Sequence, residues 1–155
     1  MKRTFFVSGL VAVVFFGISA CSSSKGPATP VADAQSSIST TDWSKSETVD
    51  VVLSKFAFTP ATLTLKRKQP YRLHLANTSG DTHTYSSDDL FGAVAVQKVV
   101  RAGVETPGLS GNGVSLEPNE EADLFIVPLN SGSYRIYCDE FMHDTMGMHG
   151  TVTIQ

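Results

Sequence analysis

Residues 133–155 read SYRIYCDEFMHDTMGMHGTVTIQ. Tyr134 and Ile136 alternate with Arg135 and Tyr137 ahead of Cys138, and Val152 and Ile154 alternate with Thr151 and Thr153 at the close. Period-two alternation marks a strand with one buried face. Cys138 shares parity with Tyr134 and Ile136, so its sulfur is expected at the inner end of a buried strand. Gly150-Thr151-Val152 opens the next strand, which leaves 139–149 as a connecting loop. A loop of this length can fold back so that its first, middle and last side chains meet.

The same alternation runs outward through about 47–155. Val49, Val51 and Leu53 alternate, Phe56 and Phe58 lead to Pro60, and Leu63 and Leu65 alternate with Thr62, Thr64 and Lys66. Tyr71, Leu73 and Leu75 share one face, with Arg72, His74 and Ala76 on the other, so His74 is expected to point to water. Leu124 and Ile126 follow a Glu117-Pro118-Asn119-Glu120 turn. Short strands broken by Pro, Gly and Asn clusters predict an all-β sandwich or barrel. Segment 88–100 reads as either a short helix or an irregular strand, and 102–113 reads as loop.

The N-terminus has a different character. Met1, Lys2 and Arg3 precede an apolar stretch over 4–18, too short for a membrane span of about 20 residues and suited to a signal-peptide core. Ile18-Ser19-Ala20-Cys21 then resembles the bacterial lipobox, which implies cleavage after residue 20 and a lipid on Cys21. Residues 21–46 are rich in Ser, Thr, Ala and Pro with one aromatic, Trp43, and are read as a flexible linker. At about 5–6 Å × √n such a linker reaches roughly 28 Å. Three regions are therefore expected: signal peptide 1–20, lipidated linker 21–46 and a domain over 47–155.

Only two cysteines are present. If Cys21 carries lipid, Cys138 has no disulfide partner, and a lone thiol in an oxidising compartment needs burial, redox work or a metal. The chain holds 12 basic and 15 acidic residues; losing Lys2 and Arg3 makes it more acidic still. That balance argues against nucleic acid as a partner.

Cys138, His143, Met142, Met146, Met148 and His149 crowd a thiolate, two imidazoles and three thioethers into twelve residues. Thiolate and thioether suit Cu(I), imidazole suits both oxidation states, and a His2Cys set with a distant Met is tolerable to both. His83 lies beyond the 71–76 strand, across NTSGDT, and can supply a second imidazole. Zinc could use His2Cys, but no carboxylate or second Cys clearly completes a closed tetrahedral site. Cys–His nucleophilic catalysis would need a substrate pocket and an oxyanion hole, and the sequence suggests neither. Met146 rivals Met148, His149 could replace His143, and a binuclear copper centre would want a second Cys where Met142 stands.

The pattern resembles the cupredoxin family of blue-copper proteins over roughly 47–155. VVLSKFAFTPATLTLKRKQPYRLHLAN is similar to the family's opening strands, SYRIYC to the approach to its cysteine, and His143-x4-Met148-x-Gly150-Thr151 to the ending of plastocyanin-like members. The resemblance implies a Greek-key β-sandwich holding one copper ion through His83, Cys138, His143 and an axial Met148. The four-residue gap between Cys138 and His143 is shared with azurin-like and rusticyanin-like members. Asp139, Glu140 and Asp144 depart from the usual apolar loop. The expected role is that of a non-enzymatic one-electron carrier, with copper storage, delivery or resistance as the alternative. The expected setting is the periplasm, as a monomer tethered to the inner or outer membrane, facing a redox partner or a copper donor or acceptor.

Overall fold

A computed structural model describes residues 33–155. The signal-peptide and lipidation readings, at 1–20 and Cys21, lie outside the described residues.

Eleven strands form two sheets among these residues. The first sheet orders β2 (Ala57–Thr59), β1 (Glu47–Ser54), β4 (Tyr71–Asn77), β9 (Glu121–Pro128), β6 (Val94–Arg101) and β7 (Val104–Pro107). The second orders β3 (Thr62–Leu65), β11 (His149–Ile154), β10 (Gly132–Tyr137), β5 (His83–Ser86) and β8 (Gly113–Leu116). β1 and β4 run parallel with Val51 opposite Leu75, while β4 and β9 run antiparallel with Leu73 opposite Leu124. In the second sheet Val152 sits opposite both Tyr134 and Leu63.

The alternation seen in the sequence decides what these sheets bury. Leu53, Leu73, Leu75, Leu124 and Ile126 of the first sheet face Leu65, Ile136, Val152 and Ile154 of the second, all fully or almost fully enclosed. Burying each such side chain contributes about 1.5–3 kcal/mol before conformational entropy is charged against it. The result is the all-β sandwich expected from the sequence.

Three local expectations change. Segment 88–100 is both of the things it resembled: α2 (Leu90–Ala93) runs straight into β6, which carries a bulge between Val96 and Lys98. Residues 102–113 are not loop throughout, because β7 pairs with β6, with Val99 opposite Thr106. This strand is exposed along its whole length, so no apolar alternation announces it.

The described part of the presumed flexible linker, 33–46, is structured. It holds α1 (Ala34–Thr40) and a single 3-10 turn at Trp43–Lys45. Trp43 supplies the anchor that the polar composition concealed: its indole N–H donates to the Ile38 carbonyl at 3.1 Å, and its ring meets Phe125 edge-on at 6.5 Å. Gln69 adds a bond from Nε2 to the Lys45 carbonyl. His74 takes the outer face as its parity predicts, but it is half-buried and bonded to Asp123 at 2.9 Å rather than free in water. Burial pushes the Asp123 carboxyl up, yet the hydrogen bonds from Arg72 and His74 outweigh it and hold the group below its ordinary value.

Gly150 shows how tightly β11 lies against the chain before β3. A Cβ built there would fall 2.3 Å from the Ala61 carbonyl oxygen, a backbone atom that also accepts the Thr151 N–H at 2.8 Å. Gly150→Ala is therefore expected to destabilise by about 1–3 kcal/mol, as overpacking does. Gly80→Ala, with nothing within 4 Å of its Cβ, should be near neutral. Urea unfolding midpoints of the two variants check this, and equal midpoints would contradict it.

Candidate metal centre

Four segments meet at one end of the sandwich. β4 delivers the first contact through Asn77, which is 2 % exposed. Its side-chain amide donates to the carbonyls of Asp81, Leu116 and Glu117 at 2.8–3.0 Å, while its Oδ1 accepts from the Ser79 N–H at 3.0 Å. One asparagine thus ties the ends of β4 and β8 together and shapes the turn that leads into β5. His83 is the first residue of β5, fully enclosed.

Cys138 follows β10 directly, and its parity with Ile136 places the thiol in the core, fully buried as expected. The loop after it folds into helical turns. His143 N–H donates to Glu140 O, and Met146 N–H to Met142 O. Met148 N–H then returns to His143 O at 3.0 Å, and Cys138 N–H to Met148 O at 3.0 Å. First, middle and last residues of the loop are thereby bonded to one another through the backbone. Gly147, at φ +106°, makes a turn that a side chain would strain.

The side chains converge accordingly. His83 Nδ1 and His143 Nδ1 are 3.1 Å apart, and Cys138 Sγ lies 3.8 Å from the first and 3.4 Å from the second. The circle through these three atoms has a radius of about 2.0 Å, close to the ~2.0–2.3 Å bonds that imidazole nitrogen and thiolate sulfur make to a first-row metal. Three lone-pair donors pointed at one another have no use as a hydrogen-bonded trio, so the donor set fits a metal ion. Burial, and after it the neighbouring His143, holds the His83 imidazole below its usual 6.5. That shift favours the neutral form, which a metal ligand must have. His83 Nε2 is buried without a hydrogen-bond partner among the described residues, so packing and what its Nδ1 faces orient the ring.

Met148 is fully buried in the same core cluster, tied by its backbone to Cys138 and His143. Met146 and Met142 are more than half exposed, and His149 turns outward to Asp144 at 3.3 Å. The structure therefore brings His83, Cys138 and His143 together, buries Met148 beside them, and leaves the rivals Met146 and His149, and Met142 with them, outside.

Around the donors, sequence reasoning missed Thr84 and the bracing roles of Asp139 and Phe56. Thr84 N–H donates to Cys138 Sγ at 3.3 Å. The Thr84 hydroxyl donates to Asp139 Oδ1 at 2.5 Å and accepts the Asp139 N–H at 2.8 Å. Phe56 packs edge-on against the His143 ring at 5.1 Å. The only signal for Thr84 and Asp139 was adjacency to His83 and Cys138. These bonds also explain the acids in the loop: Asp139 is held by Thr84, and Asp144 by Arg135 and His149.

A two-sheet sandwich with buried histidine, cysteine and methionine at one end defines the class of small copper-binding β-domains. The family model for a cupredoxin-like domain matches residues 11–154, and the chain belongs to that family. Solved structures with the same fold include a multicopper oxidase from Pseudomonas thermotolerans, with TM-score 0.60 and 20% identity over 74% of this chain and 31% of that one. A multicopper oxidase from Campylobacter jejuni has TM-score 0.53 and 13% identity, over 69% of this chain and 29% of that one. An auracyanin from the photosynthetic bacterium Roseiflexus castenholzii has TM-score 0.49 and 17% identity, over 71% and 98%. This chain spans about a third of the length of the two oxidases. No curated protein matches the sequence. The cofactor of this domain is copper.

The depressed basicity of His83 sets a pH dependence for the metal-free protein. A histidine held neutral in the fold but free to protonate when unfolded favours the unfolded state as pH drops. Stability is lost from near the unfolded value of about 6.5 downward, until pH passes the folded value. Urea midpoints of metal-free protein should fall between about pH 7.5 and pH 5, and His83→Asn should flatten that slope. An identical slope in the variant would contradict the assignment.

Proposed function

We propose that this protein is a one-electron carrier, with the copper held by His83, Cys138 and His143 and tuned by Met148. The observation that carries the reading is the preformed triangle: the donors already stand at metal-bonding separation, locked by backbone bonds at both ends of the loop. Bound copper supplies a one-electron couple between Cu(I) and Cu(II). The chain's part is to keep the ligands still. Thr84 N–H and the core fix the thiolate, Asn77 fixes the approach to His83, and Phe56 backs the His143 ring. A His2Cys set with a distant Met is tolerable to both oxidation states, so little needs to move when an electron passes.

His143 is the one donor residue of the triangle that is only partly buried. Phe141, Met142 and Met146, at 88%, 52% and 55% exposure, surround it with an apolar rim. An electron would enter and leave across this edge, to a protein partner that meets the rim. We place the protein in the periplasm, held to the cell envelope by a lipid on Cys21, monomeric and without a substrate of its own. The exposed thioethers of Met142 and Met146 favour a second reading, copper storage or delivery, since sulfur at the rim could receive Cu(I) before it reaches the buried donors.

The two readings separate on the Cu(II)-loaded protein. An electron carrier is expected to show an intense thiolate-to-copper band and a fast, reversible one-electron wave, with the band abolished in Cys138→Ala. A colourless Cu(I) protein that yields its metal readily to a chelator would sink the carrier reading. A band that survives Cys138→Ala would sink the ligand assignment.

A further inference from the structure

The end of the sandwich opposite the metal carries charge of the other sign. It is built where the strands leading to the site begin or those leaving it end. Glu47 N–H donates to Pro70 O at 3.0 Å, Arg67 N–H to Gln155 O at 2.9 Å and Lys68 N–H to Pro128 O at 2.8 Å. Lys45, Lys66, Arg67 and Lys68 are all exposed there. Arg67 is pinned through Nε to the Leu129 carbonyl at 2.9 Å. Lys45 meets Asp42 at 3.3 Å, with both side chains more than half exposed, a pair that solvent screens heavily. Lys66 and Lys68 form no salt bridge among the described residues. Asp42 and Glu47 offset part of this charge, and the four basic groups exceed them.

The metal end is acidic. Asp81 and Glu117 border the turn into His83, and Asp139, Glu140 and Asp144 lie in the loop after Cys138. Lys55, over the Phe56 ring that backs His143, and Arg135, paired with Asp144, offset part of this charge, and the five acids exceed them. The domain is therefore electrically polar along its strands, basic at the base and acidic at the copper.

The described residues start close to the base: Ser37 of α1, with Thr41 and Lys45 after it, lines a groove together with Lys68 and Gln69. From Cys21 to Asp33 is about a dozen residues, which span at most about 40 Å whatever their conformation. Resting on the reading that Cys21 carries a lipid, we infer that the basic end is a membrane-facing surface for anionic lipid headgroups. Attraction of the base and repulsion of the acidic end act within about a Debye length, ~10 Å at 0.1 M salt. Together they stand the domain with its base on the lipid and His143 facing away, open to a partner arriving from the aqueous side.

Trp43, the single tryptophan, lies two residues from Lys45 and reports directly on this end. The test reconstitutes the full chain, purified from membranes, into phosphatidylcholine vesicles and into an equimolar mixture with phosphatidylglycerol, both bearing a dansyl-labelled headgroup. Energy transfer from Trp43 to dansyl is expected to be greater in the anionic vesicles. High salt, or the double variant Lys66→Gln with Lys68→Asn, should reduce it to the neutral-vesicle level; asparagine suits the φ of +61° at position 68. Co-flotation with both vesicle types but equal transfer would overturn the orientation alone. Absence of co-flotation from both would overturn the lipid anchor, and the orientation with it.

Discussion

The hydrogen bond from Cys138 N–H to Met148 O closes the loop on which the site depends. It joins the end of β10 to the start of β11, so the thiol and the buried thioether are held by the two strands that pair most extensively in the second sheet. A second backbone bond, from Met148 N–H to His143 O, hangs the imidazole from the same closure. The donors are thus set by sheet register rather than by side-chain flexibility. β5 meets β10 in backbone register at one residue pair, Tyr137 with Ser86, and beyond it side-chain bonds from Thr84 and Ser87 take over. There His83 and Cys138 face each other.

Polar bonds at this end do two jobs at once. Asn77 satisfies carbonyls that the sandwich would otherwise bury at the ends of β4 and β8, and leaving such groups unpaired costs about 1–3 kcal/mol each. Thr84 links the strand carrying His83 to the residue after Cys138, so β5 and the metal loop move as one. The carboxylates of Asp139 and Asp144 are held by Thr84 and Arg135, so both acids act as structural braces beside the site.

The sequence carried the site well because its key elements are local. Cys138-x4-His143-x4-Met148 lies in one loop, and the parity of Ile136 and Cys138 alone put the sulfur inward. The core was legible for the same reason: alternation in 71–75 and 124–126 survives in the sheet. What stayed hidden depended on distant partners. β7 has no buried residue to betray it, α1 and its turn are held by distant partners such as Phe125 and Gln69, and the bond from Thr84 to Asp139 joins residues 55 apart in the chain. The resemblance already pointed to Met148; setting its rival Met146 aside needed the burial of the folded loop, since both offer the same thioether.

X-ray absorption at the copper edge on the loaded protein tests the central claim most directly. Two nitrogen scatterers at about 2.0 Å and one sulfur near 2.2–2.3 Å are expected, the distances at which imidazole and thiolate bind such metals. A first shell without sulfur, or one made of thioethers alone, would place the metal outside the triangle of His83, Cys138 and His143 and contradict the account.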